Sequence, residues 1–186
     1  MTKLPDRTQS QALLEQYIDN ENLRKHCRMV AEAMAAYARQ LEADEELWYQ
    51  TGLLHDLDWE KYPDEHPNKA VNELLTGYPQ ELVAAVAAHA PHITGKKPST
   101  RLEKYLFAID ELSGFMTAYA LMRPNHFAGM KYSKVKKKLK DSSFAANVSR
   151  EDIKQGFNLI EPEPEEHVAF LVSVFTDLDW IFECVW

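Results

Sequence analysis

Apolar residues recur three and four apart along nearly all of this chain, and alternating polar–apolar runs are almost absent. A half-buried strand needs alternation, because its successive side chains face opposite ways. A helix instead buries one stripe at a 3.6-residue period. The chain is therefore read as all-α. Glycine is scarce, with six in 186 residues, which also fits helices better than a turn-rich β fold.

The expected helices follow from this spacing. Leu13, Leu14, Tyr17 and Ile18 mark a short first helix. Leu23, His26, Cys27, Val30, Met34, Tyr37 and Leu41 line one side of an amphipathic helix over 22–41. Asp44 caps the next helix, with Glu45 and Glu46 at its positive end, and that helix runs to about His55-Asp56. A polar, proline-bearing loop spans Asp58 to Glu65. Pro67 opens a helix over 67–76 that Gly77 closes, and Pro79 opens another to His89. Thr100-x-x-Glu103 is a capping box ahead of a long helix ending near Arg123-Pro124. A lysine-rich helix, a short helix after Ser149 and a final helix from Glu165 complete the chain. Glu161-Pro-Glu-Pro-Glu165 reads as a stiff turn inside one domain spanning 1–186, and no internal repeat is visible.

Composition narrows the function classes. The net charge of -8 argues against broad binding to nucleic acid or an anionic membrane, both of which favour a positive surface. Residues 131–140, with six lysines, are the local exception. No apolar run approaches the roughly 20 residues of a membrane span. Residues 1–7 have no apolar core, and Cys27 and Cys184 read as free thiols in a reducing cytoplasm. No P-loop, Gly-x-Ser-x-Gly elbow or Rossmann fingerprint occurs.

The chemistry concentrates in histidines and two aspartates. His26, His55 and His89 each fall on the apolar side, or at the end, of a separate expected helix. Asp56 follows His55 directly, and Asp110 lies between Ile109 and Leu112 in a window of low polarity. His66 precedes Pro67 and is read at a helix N-terminus. Any one of these alone reads as a satisfied core histidine or a capping aspartate. Together they need a shared partner, since buried carboxylates are rare unless paired or metal-bound. Imidazole plus carboxylate suits iron, manganese, zinc, nickel or cobalt, and the lack of cysteine ligands argues against a structural zinc site.

The order His26, His55-Asp56, Asp110 resembles the HD superfamily of metal-dependent phosphohydrolases. Thr51-Gly-Leu-Leu-His-Asp-Leu-Asp58 looks like the family's hydrophobic HD motif. The segments from His66 to Pro79 and Val86 to His89 are similar to the follow-on region of the HDIG branch, and 102–115 to its last aspartate helix. Leu57-Asp58 stands where that branch has Ile-Gly. The resemblance covers about 22–160 and implies a single-domain helical bundle of the HD type. It further implies one metal on His26, His55, Asp56 and Asp110. In two-metal members the HD aspartate bridges and two intervening histidines complete a second position, which His66 and His89 match. The cofactor expected is one or two divalent transition metals.

Other residues take weaker readings. Glu60 stands for the acids that position water or substrate after the HD pair, with a solvated loop acid as the alternative. His92 reads as a loop histidine after Pro91, or as a ligand or substrate contact. The lysine run reads as a solvated face, or as a basic rim that draws in a phosphorylated substrate with Arg123 and Lys137. His126 and His167 read as a loop residue and a helix-surface residue. The apolar segment 180–186 packs on the core or serves a dimer contact. The implied activity is hydrolysis of a phosphomonoester or nucleotide-like small molecule by a cytoplasmic enzyme, with no nucleic-acid polymer or membrane as partner. A di-iron oxygenase and a metal-binding regulatory module are the rival readings.

Overall fold

The computed structural model describes residues 3–182, and no strand occurs among them. Contacts group the chain into two compact units, one ending at Phe107 and the other starting at Ala108. The first holds α1 (Arg7–Tyr17), α2 (Glu21–Gln40), α3 (Glu45–Leu54), a π-helical turn (Ala70–Leu74), α4 (Gln80–His89) and the single turn α5 (Pro91–Thr94). Helix α6 (Arg101–Leu121) begins there and continues into the second unit.

Local signals set the helix starts. Asp44 accepts from the Leu47 amide at 3.0 Å and caps α3. Asn20 caps α2 through the Asn22 and Leu23 amides, at 2.9 and 3.2 Å. At α6 the Thr100 hydroxyl and the Glu103 carboxylate each accept the other residue's amide. Glu103 is buried, which pushes its carboxyl up. Lys96, the Ser99 and Thr100 amides and the Ser99 hydroxyl outweigh this and hold it at about 2.

The apolar stripes of these helices meet in one core that includes Leu14, Ile18, Cys27, Ala31, Leu53, Leu54, Leu57 and Val86. Helices α2 and α3 touch backbone to backbone at Gly52, where an added Cβ would lie 2.7 Å from Ala31 Cα. No side chain fits in that gap. This contact sets the spacing between the helix bearing His26 and the helix ending at His55.

The segment 67–76 is helical over 68–74, opening with two α-helical residues and continuing as the π-helical turn Ala70–Leu74. The His66–Pro67 peptide is cis. His66 sits in the turn just ahead of this helix. Asp58 accepts the Ala70 amide of its first turn at 2.8 Å.

The second unit comprises the rest of α6, α7 (Tyr132–Leu139), α8 (Arg150–Leu159), α9 (Pro164–Thr176) and a 3₁₀ turn (Asp179–Phe182). Ser149 caps α8 through the Asp152 amide at 3.1 Å. Arg150 donates to the carbonyls of Asp141, Phe144, Ala145 and Val148, gathering the loop before α8 around one guanidinium. His167 corrects a sequence expectation. It is fully buried, its Nε2 lies 3.3 Å from the Ala108 carbonyl, and burial pulls its ring down to about 4. Of the apolar terminal segment, Ile181 is buried and Phe182 stacks on His126 at 3.8 Å. Residues 183–186, Cys184 among them, lie outside the described residues. No described helix is long and apolar enough to cross a membrane.

Candidate metal centre

Asp56 is the centre of the site. It follows the last residues of α3 and is mostly buried, with 14% of its side chain exposed. Its two oxygens face different histidines. Oδ2 lies 3.3 Å from His55 Nε2 and 3.8 Å from His26 Nε2. Oδ1 lies 3.6 Å from His66 Nε2 and 3.7 Å from His89 Nε2. Burial pushes the Asp56 carboxyl up, but His55, then His89 and His26, hold it well below the usual carboxylate range.

Backbone geometry explains the convergence. His26 is in the second turn of α2, His55 caps the C-terminal end of α3, and His89 is the last residue of α4. Each side chain therefore projects from or near a helix end, where the next turn of helix does not block it.

Hydrogen bonds at the far nitrogens fix the tautomers. His55 Nδ1 donates to the Gly52 carbonyl at 2.8 Å, and His89 Nδ1 donates to the Val86 carbonyl at 2.5 Å. His66 Nδ1 donates to Asp58 Oδ1 at 2.6 Å. In the neutral ring each proton then sits on Nδ1, and each Nε2 turns a lone pair toward Asp56.

This donor set fits a divalent metal. His66 Nε2 and His89 Nε2 stand 3.1 Å apart. With both rings neutral, two Nε2 lone pairs and a carboxylate at that range favour a cation among them. Two ligand bonds of roughly 2.1 Å at about a right angle span about 3 Å, which matches the separation. Asp56, His66 and His89 thus form a three-ligand group whose donor atoms lie within 4.8 Å of one another. A histidine held from behind by a carboxylate or carbonyl is the arrangement that orients metal ligands.

Asp58 is the residue that sequence reasoning missed. The sequence places it at the start of the polar loop 58–65, yet it is fully buried, with both oxygens engaged by His66 and Ala70. The signal was present in the pattern His55-Asp-Leu-Asp58, where an acid two residues on faces the opposite way from Asp56.

The other candidates are placed as follows. Asp110 is partly buried on α6, in the second unit. Glu60 joins neither oxygen of Asp56. Its Oε2 accepts from the Asp19 and Asn20 amides, both at 2.9 Å, and the neighbouring Lys61 Nζ donates to the Gln16 carbonyl at 2.6 Å. These two side chains bracket the turn from α1 to α2, with the anion at a helix start and the cation at a helix end. His92 is exposed on α5. Arg123 donates to the His126 and Ala128 carbonyls and holds the 123–128 turn. Lys137 is exposed on α7.

Residues 23–114 match the family model of the HD domain. That match supports the HD superfamily. No curated protein and no solved structure matches the chain.

Proposed function

Taking residues 23–114 as an HD domain, we propose that this protein is a metal-dependent phosphohydrolase acting on a phosphomonoester or nucleotide-like small molecule. The observation that carries the reading is the division of the Asp56 carboxylate between two pairs of histidines. A carboxylate so placed is suited to bridge two cations. His26, His55 and Asp56 would hold the first ion, with Asp110 as the fourth ligand that the family resemblance implies. Asp56, His66 and His89 would hold the second. The bound metals would supply Lewis acidity toward water and toward the phosphoryl oxygens.

The chain's own residues do the rest. Asp58 and the Val86 carbonyl keep His66 and His89 in the tautomer that offers Nε2. Arg123 and the lysines of α7, Lys137 among them, are the basic side chains this reading assigns to attracting a phosphorylated substrate. The HDIG branch and a cytoplasmic setting belong to this same reading.

The placement of histidines about both oxygens of Asp56 also suits a second reading, an HD-fold di-iron oxygenase. Anaerobic purification with metal analysis, followed by a screen of phosphomonoesters and nucleotides, tests both. Phosphate release with redox-inert metals supports the hydrolase, whereas iron-restricted oxygen consumption without phosphate release overturns it.

A further inference from the structure

Trp59 is a large apolar side chain left 49% exposed, three residues after Asp56. A scattered surface aromatic means little in itself. This one is fixed at the metal centre. Its ring centroid lies 4.9 Å from that of His66, with the planes at 87°. Its amide donates to the Asp56 carbonyl at 3.0 Å, and the Tyr62 amide donates to the Asp58 carbonyl at 2.8 Å. Glu60 and Lys61 then anchor the same segment to the α1–α2 turn. The indole therefore stands on a rigid support beside a metal ligand.

An edge-to-face contact covers at most one face of an indole. Whichever ring presents its edge, His66 leaves at least one indole face unengaged. About half of the residue, 49%, is open to solvent. An open aromatic face held in place offers a stacking surface to any planar ring, since every such ring has a complementary π-face.

We infer that Trp59 is the specificity-determining residue of this site, a platform that stacks on a planar ring in the organic part of the phosphorylated substrate. The inference rests on the phosphohydrolase reading and deepens it. It selects nucleobase- or aryl-bearing phosphates over sugar and alkyl phosphates. Trp59 acts on substrate choice and leaves phosphoryl binding to the metals.

The test is binding to the manganese-loaded protein without turnover. Adenosine 5′-monophosphate, ribose 5-phosphate and inorganic phosphate are titrated by calorimetry and by tryptophan fluorescence. The wild type should bind the adenine compound roughly tenfold or more tighter than ribose 5-phosphate, with saturable quenching. Trp59→Ala should lose that preference and Trp59→Phe keep part of it, while manganese content and phosphate affinity stay unchanged in both. If phosphate binds but the wild type shows no ring preference, or Trp59→Ala retains it, the platform is overturned and the phosphohydrolase reading stands. Loss of manganese in Trp59→Ala would overturn it as well, because Trp59 would then act through His66. If neither phosphate nor either ester binds, both readings fall.

Discussion

Asp58 grips His66 at 2.6 Å through Nδ1, the nitrogen remote from Asp56. With its other oxygen on the Ala70 amide, Asp58 is held where its proposed role is to aim a ligand. Asp58→Asn should therefore weaken affinity for one metal by roughly 10- to 100-fold, with the fold retained. Competitive chelator titration measures this. Two ions bound with wild-type affinity would contradict the role.

The two-ion arrangement predicts a stoichiometry. The wild type should carry two ions per chain, and His66→Ala/His89→Ala should carry one. His55→Ala or Asp110→Ala should remove the first ion, since each deletes a proposed ligand. Elemental analysis of purified variants decides. A wild type holding a single ion that survives the double substitution would reject the second position, and full occupancy in Asp110→Ala would remove that residue from the site.

Site and core should separate in α6. Leu106 is fully buried, and its truncation to alanine should cost about 2–5 kcal/mol of stability. Asp110→Ala should lower activity far more than stability. Chemical denaturation alongside turnover tests the contrast, and equal unfolding midpoints with equal activity would contradict it.

Gly52→Ala should be unusually harmful for a one-methyl change. Its Cβ would meet Ala31 Cα at 2.7 Å, where backbone on both sides cannot yield. A loss on the order of 1–3 kcal/mol is expected, together with weaker metal binding as α2 and α3 separate. A melting temperature and metal affinity equal to the wild type would refute the close approach.

His167 gives a pH dependence with a definite sign. Burial lowers its ring from 6.5 to about 4 in the folded chain. Between those values the unfolded chain takes up a proton that the folded chain refuses. Stability is therefore present above about pH 6.5 and lost as pH falls toward 4, by on the order of 3 kcal/mol in total. His167→Gln, which cannot titrate, should show a correspondingly smaller loss in urea midpoint across that window.

What the sequence made legible was mainly local. Asp44 and the Thr100–Glu103 pair announce helix starts because each cap partner lies three residues away. His26, His55, Asp56 and His89 were visible as polar groups on apolar stripes, an anomaly that needs no tertiary knowledge. Asp58 was not, because its partners at 66 and 70 meet it only after the loop folds back. The π-helical turn was hidden for the same reason. His167 was misjudged because the face of α9 that is buried is chosen by packing against Ala108, far away in sequence. Glu60 carried the right chemistry for a site acid, yet helix ends claimed it first.

The bracket formed by Glu60 and Lys61 makes the stretch from Asp56 to Lys61 a strut and not a lid. Swinging it outward would strip an anion from the start of α2 and a cation from the end of α1 in the same motion. A centre built on such a strut forgoes induced closure along that edge. It holds instead a ligand geometry already set before any substrate arrives.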